Sequence, residues 1–213
     1  MNDAPESVGD NAEIPERPPR ERLLASGAEA FSRKGFGGAS VREICELAGT
    51  SSNMIHHYFG SKRGLYDAIL SGFSQQVLAV PMRVIEDPPE SRDHLISRLE
   101  IFAEESLEAL ISHAHLFELV TRERVVFSIF ESYFERLVRF LEAGKARGFV
   151  RQELDSEMLT GFILDRLGNQ IIYAQWISQV SGPTVLSDAG YRKRWLKANL
   201  DLVLNGVLAK DGR

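Results

Sequence analysis

The stretch Ser40–Lys62, SVREICELAGTSSNMIHHYFGSK, constrains the fold more than any other part of the chain. It reads as two short helices joined by a glycine turn. Ser40 and Glu43 stand at the S-x-x-E spacing of a capping box, which satisfies free N–H groups where a helix starts. Val41, Ile44 and Leu47 recur at helical spacing and form one apolar face. Ala48 is small, and Gly49 can take the left-handed conformation that ends a helix. Thr50, Ser51 and Ser52 offer a fresh N-cap. A second short helix follows to Phe59, with Ile55 and Phe59 four apart on its inner side. Asn53, Met54, His56, His57 and Tyr58 point away from the core, and Lys62 lies just past the helix end. Two helices joined in this way make a helix-turn-helix, whose second helix enters the DNA major groove.

Side chains that read base edges there must be short or planar and near the N-terminus of the reading helix. Ser51, Ser52, Asn53, Met54 and His56 are so placed. Asn53 can pair bidentately with adenine, and reads equally as a solvated early-helix residue. Met54 can meet a thymine methyl, while His56, His57 and Tyr58 suit phosphate or sugar. Ser40 offers a helix N-terminus to a phosphate, and Arg42 and Lys62 offer point charges. The net charge of −5 alone argues against nucleic acid, but its distribution does not. Residues 1–16 hold five acids and no Lys or Arg, whereas residues 17–67 hold eight Lys or Arg against five acids. The net-basic block therefore coincides with the helix-turn-helix, which suits selective phosphate contact.

Ile44-Cys45, Ala48-Gly49, Ser51, Ile55, Tyr58-Phe59, Lys62 and Leu65 together resemble the DNA-binding signature of tetracycline-repressor-type (TetR-type) transcriptional regulators. The likeness extends back through Ala28, Phe31, Gly35 and Phe36. Cys45 stands where that family usually has alanine, Asn53 where a small residue is common, and His56 where tyrosine is frequent. The last two bear on which DNA sequence is preferred. The resemblance implies that the basic start of the first helix, with Arg20 and Arg22, lies near the DNA backbone; the residues by themselves read as well as a solvated basic terminus.

Taken in order, residues 1–16 are acidic, contain two prolines and read as a disordered tail. The DNA-binding domain spans 17–61, its first helix about Arg20 to Lys34 with Gly35 as C-cap. Ser61 caps a linking helix over 62–80, which Pro81 should end. A body follows over 81–213. Its helices are expected at about Arg92–His113, around Leu116–Val120, at Val125–Arg147, from Asp155 or Ser156 to Val180, and at Asp188–Leu208. Gly148 stops the third of these, and Phe149-Val150-Arg151 form a short extended link. The fold class is all-α: a three-helix bundle carrying the helix-turn-helix, a linking helix, and a five-helix body for ligand binding and dimerisation.

The resemblance gives that body two tasks. The last two helices would form a homodimer seam, with Leu164, Leu167, Ile171, Ile172 and Trp176 on one and Trp195, Leu196, Leu200, Leu204 and Val207 on the other. An effector pocket would lie among the preceding helices. Phe102, Phe117, Phe127, Phe130, Tyr133, Phe134, Phe162 and Tyr173 are its aromatic candidates, with Asn169, Asp165, Gln170, His113, His115 and Arg122 as polar ones. Such a lining suits a small hydrophobic or aromatic effector; phenylalanines at helical spacing also build plain cores. The implied partners are a double-stranded, pseudo-palindromic DNA operator and a second copy of the chain.

Other classes fit poorly. No nucleophile elbow, phosphate-binding glycine loop, CxxC or HExxH occurs, so neither catalysis nor a cofactor is expected. His56-His57 diverge on a helix and make a weak metal pair. Cys45 is the single cysteine, which excludes an intramolecular disulfide. No stretch is long and apolar enough to span a bilayer, and no apolar signal core is present, so cytoplasmic residence is expected. The competing reading is a helix-turn-helix regulator without a small-molecule effector, acting as an activator or through a protein partner.

Overall fold

A computed structural model describes residues 17–208; the expected acidic tail lies outside them. Ten α-helices occur among these residues, and the extended pairing is one bridge, Val150 to Leu208. Helix α1 (Pro19–Gly38) begins with proline at its first position, where no N–H is missed. It runs regularly to Lys34, and Gly35, at φ 72°, kinks the chain before a further short turn. Helix α2 (Val41–Ala48) starts at Ser40, whose hydroxyl accepts from the Glu43 N–H at 3.1 Å. The reciprocal half of the capping box is absent, because the Glu43 carboxylate turns to the Lys34 ammonium at 2.8 Å. Gly49 closes α2 in the left-handed region, at φ 59°. Helix α3 (Asn53–Phe59) has Ser52 in the N-cap position without a side-chain cap.

Helix α4 (Lys62–Val84) is capped by Ser61, which accepts from the Gly64 N–H at 3.0 Å. It does not stop at Pro81 but passes through it. Proline costs the bond to the carbonyl one turn earlier, yet Pro81 is buried and Ile85 beyond it is 1% exposed. Packing against the body thus carries the last turn past its breaker. The near half of α4 lies on α1 and α3, and the far half lies on the body.

The body comprises α5 (Arg92–Ser112), α6 (Ala114–Arg122), α7 (Val126–Ala146), α8 (Ser156–Ile172), α9 (Ala174–Ser181) and α10 (Ala189–Val207). Ser91, Asp155 and Asp188 cap α5, α8 and α10 through their side chains. The helix expected to run unbroken to Val180 is two helices, broken at Tyr173 (φ −101°, ψ 12°). Neither glycine nor proline marks that break. Backbone bonds continue across it, from the Tyr173 N–H to the Asn169 carbonyl and from the Ile177 N–H to the Tyr173 carbonyl. The extended link after Gly148 is as expected: the Arg151 N–H and guanidinium bind the Val207 and Gly206 carbonyls, both at 3.0 Å, tying the link to the end of α10.

Candidate DNA-reading surface and body cavity

The head is closed by a compact core. Leu23, Phe31, Ile44, Ile55 and Leu65 have no solvent exposure. Phe31, Phe36 and Tyr66 form an aromatic cluster with ring centres 5.0 to 5.8 Å apart. Burial pushes the Tyr66 hydroxyl above its ordinary pKa, with the nearby Glu123 carboxylate adding to the effect. Because α3 hands Ile55 to this core, the opposite side of the short helix faces out. Ser51, Ser52, Asn53, His56, His57 and Tyr58 are all exposed. His57 and Tyr58 touch edge to face, 4.8 Å between centres, and His56 Nδ1 lies 3.0 Å from the Gly60 carbonyl oxygen.

Three of the expected DNA contacts also have partners within the head. Met54 is half-buried and packs against the head core, since α3 lies close enough to α1 and α4 to cover the residue beside Ile55. The Lys62 ammonium sits 4.6 Å above the Phe36 ring, so its charge is held at the head surface by a cation–π contact. The Arg22 guanidinium donates to the Ala48 carbonyl at 2.9 Å and braces the end of α2. Ser40 and Arg42 are exposed, Arg42 sharing a 2.8 Å ion pair with Glu46 on its own helix.

The body encloses a cavity of about 680 Å³, within the range of small-molecule sites. Phe117 and Thr121 reach it from α6, Phe130, Tyr133 and Phe134 from α7, and Leu110 and Ser106 from α5. Val77 reaches it from the far half of α4. On α8 the facing residues are Gly161, Leu164, Asp165, Gly168 and Ile172, a stripe at helical spacing, with Leu167 and Asn169 beside it. Phe162 and Tyr173 fall off that stripe and are 46% and 53% exposed, so they do not line the cavity. Phe102 stands behind the wall, stacked on Tyr133 at 5.3 Å. The side chain of Phe127 lies outside the described residues. Of the polar candidates, Asp165 and Asn169 face the cavity; Gln170 is buried away from it, and His113 contacts the Ala109 carbonyl at 3.1 Å. Burial, then the neighbouring His113, hold the His115 pKa below its usual value.

The expected seam is redistributed too. Leu167 and Ile171, 4% and 1% exposed, are used by the protomer's own core, and Leu164 faces the cavity. Trp195, Leu196, Leu200 and Leu204 are half-buried where α10 packs over Leu99 and Phe102. Val207 is buried and Ile172 is at the cavity, so of the expected residues Trp176 stays outside; Val180 and Leu202 on the outer helices, not among those expected, are also more than 60% exposed.

Sequence reading missed how head and body are joined away from α4. The Arg122 guanidinium, at the end of α6, donates to the Phe31 and Ser32 carbonyls at 2.9 and 3.1 Å. Its neighbour Glu123 accepts from the Phe36 N–H at 3.2 Å. These bonds hold the kink around Gly35. The left-handed Gly35 was a visible signal, but its partner lies about ninety residues away and no local pattern announces it.

A head that exposes one face of its second short helix, rigidly continued by α4 into a cavity-bearing body, defines a helix-turn-helix DNA-binding protein. Residues 23–69 match the family described as bacterial regulatory proteins, tetR family. The head is thus similar to the DNA-binding unit of that family, and the chain is a DNA-binding transcriptional regulator. Over 195 residues it is 29% identical to the HTH-type transcriptional repressor KstR2 of Rhodococcus jostii (strain RHA1), covering 88% of this chain and 90% of that one. The fold is shared with the ketosteroid transcriptional regulator KstR2 of Mycobacterium tuberculosis, at TM-score 0.69 and 24% identity over 91% of this chain and 97% of the other. It is shared as well with the fatty acid degradation regulator FadR of Bacillus halodurans, at TM-score 0.67 and 17% identity over 87% and 98%. Among the described residues no helix is long and apolar enough to cross a membrane.

Proposed function

We propose that the protein is a homodimeric repressor that leaves a two-fold symmetric operator when a small hydrophobic or aromatic molecule enters the body cavity. The observation that carries this reading is that two struts run from the cavity wall to the head. Helix α4 brings Val77 to the cavity and Leu65, Tyr66 and Ile69 to the head core. Helix α6 brings Phe117 and Thr121 to the cavity and ends in the Arg122 contact on α1. A ligand that favours one setting of these helices shifts the population of head orientations in a dimer, and the second half-site is lost. The full repressor match to KstR2 supports the repressing sense, and relatives named for ketosteroids and fatty acids support an apolar occupant.

The DNA contacts proposed are Ser40, Arg42, Ser51, Ser52, Asn53, His56, His57 and Tyr58, all exposed on one head. A single seven-residue reading helix buries too little surface for tight binding, so two heads are required. The exposed Trp176 and Val180 on α9 and Leu202 on α10 support a dimer surface on the outer helices, since large apolar side chains left in water gain from a partner. The test is operator selection from a random DNA pool, followed by sedimentation of the complex. A pseudo-palindromic site bound by two chains is expected. A monomer on an unsymmetric site, or equal operator affinity with the cavity occupied and empty, refutes the reading.

A further inference from the structure

We infer that the cavity selects apolar molecules that carry a hydrogen-bond-donating, cationic group, such as an alkyl or aryl amine, and rejects carboxylates of the same shape. The inference rests on the cavity being the effector site and adds its ligand class.

Two independent features of the wall point the same way. The first is charge. The described lining residues include Glu131, Glu135 and Asp165 and no Lys, Arg or His. Glu135 has a cation partner, Arg139, at 3.7 Å along its own helix. Glu131 on α7 and Asp165 on α8 line the cavity and are exposed to solvent. An ammonium group arriving there gains attraction, and a carboxylate meets repulsion strengthened by the apolar wall behind it.

The second is the supply of donors. The Thr121 hydroxyl donates to the Phe117 carbonyl at 2.8 Å, within its own helix. The Ser106 hydroxyl donates to the Phe102 carbonyl at 2.5 Å. Tyr133 is fully buried and its hydroxyl shares a hydrogen bond with the Ser106 hydroxyl; with the Ser106 proton on the Phe102 carbonyl, Tyr133 is the donor of that bond. Burial holds that phenol far above its ordinary pKa, so its proton stays. With this arrangement the three hydroxyl groups among the described lining residues have committed their protons. The donor left among the described lining side chains is the Asn169 amide, while the oxygens of Glu131, Asp165 and Tyr133 retain acceptor capacity. A polar ligand group that brings only acceptors loses its water and finds almost nothing to replace it; one that brings N–H groups finds several.

The test uses the purified full chain and a neutral environment-sensitive dye, Nile red, as cavity probe. Dodecylamine, 1-dodecanol and dodecanoate compete for it at neutral pH, in parent protein and in D165N/E131Q, whose two changes lie on the surface. The expected order is amine, then alcohol, then carboxylate, with at least about tenfold between the first and last. In the double variant, which removes two of the lining charges and puts amide donors in their place, that ratio should fall severalfold. Dodecanoate binding as tightly as dodecylamine, or a preference undiminished in D165N/E131Q, overturns the inference while leaving the cavity as a ligand site. Dye binding that no competitor displaces and that G161L leaves unchanged overturns the cavity reading and this inference together.

Discussion

The head and the body are both helical and both have closed cores, yet the body also keeps an open space. In the head, Leu23, Phe31, Ile44, Ile55 and Leu65 interdigitate with no exposure, and a Cβ added at Gly27 would stand 2.9 Å from the Ile69 side chain. In the body, a Cβ at Gly161 meets nothing within 4 Å, and about 680 Å³ stays open between α4 and α8. Protein interiors normally leave few voids larger than a water molecule. The head is built to hold one shape against DNA. The body keeps a space whose walls lie on the same helices that carry the head.

The comparison can be broken most severely at Phe31. Phe31→Ala empties the centre of the head core and should cost about 3–5 kcal/mol. Chemical denaturation with DNA binding followed in parallel should show the head failing while most body helicity remains; loss of less than about 1 kcal/mol would contradict so tight a core. Next is Gly64→Ala. A Cβ there would lie 1.9 Å from the Phe59 carbonyl oxygen, a backbone atom that cannot step aside. The turn from α3 into α4 must open, at the upper end of the about 1–3 kcal/mol typical of overpacking, and operator affinity should fall with it.

Matched glycine substitutions sharpen the contrast. Gly27→Leu should cost about 2 kcal/mol or more through overpacking. Gly161→Leu should stay within about 1 kcal/mol of the parent, because helix propensity favours leucine over glycine and the side chain enters open space. The same variant should lose ligand affinity, checked by dye titration. Equal costs at both sites would remove the distinction drawn above. The smallest expected effect is acid sensitivity, shared by both regions. The Ser156 hydroxyl, then the Lys145 ammonium, hold the Glu142 carboxyl below its ordinary pKa in the body. The Lys34 ammonium does the same for Glu43 in the head. Both folded values are depressed, so both contributions are present above the ordinary carboxylate range and fade as the pH falls through and below it. Thermal midpoints of Glu142→Gln and Glu43→Gln should therefore depend less steeply on pH in that window than the parent's.

Most of the local structure was legible beforehand. Ser40, Gly49, Ser61 and Asp155 mark helix ends by short-range hydrogen bonding and backbone freedom, and each acts as expected. Pro81 and Tyr173 mislead for opposite reasons: a breaker is overridden by burial, and a break occurs without a breaker. Phe117, Phe130, Tyr133, Phe134 and Asn169 were placed in the cavity by type, whereas Phe162 and Tyr173 were not separable from them, because aromatic composition does not say which side of α8 a ring takes.

By itself the sequence determined the helix-turn-helix, its exposed outer face, the all-α class and the net-basic block that coincides with the head, since each depends on residues within a few turns of one another. Only the tertiary structure decided that Arg122 and Glu123 grip α1, that Leu167 and Ile171 belong to the protomer's own core, and that the Ser106 and Thr121 hydroxyls at the cavity are tied to helix carbonyls. The first two depend on which distant groups meet, and a hydroxyl's proton is committed or available only once its neighbours are in place.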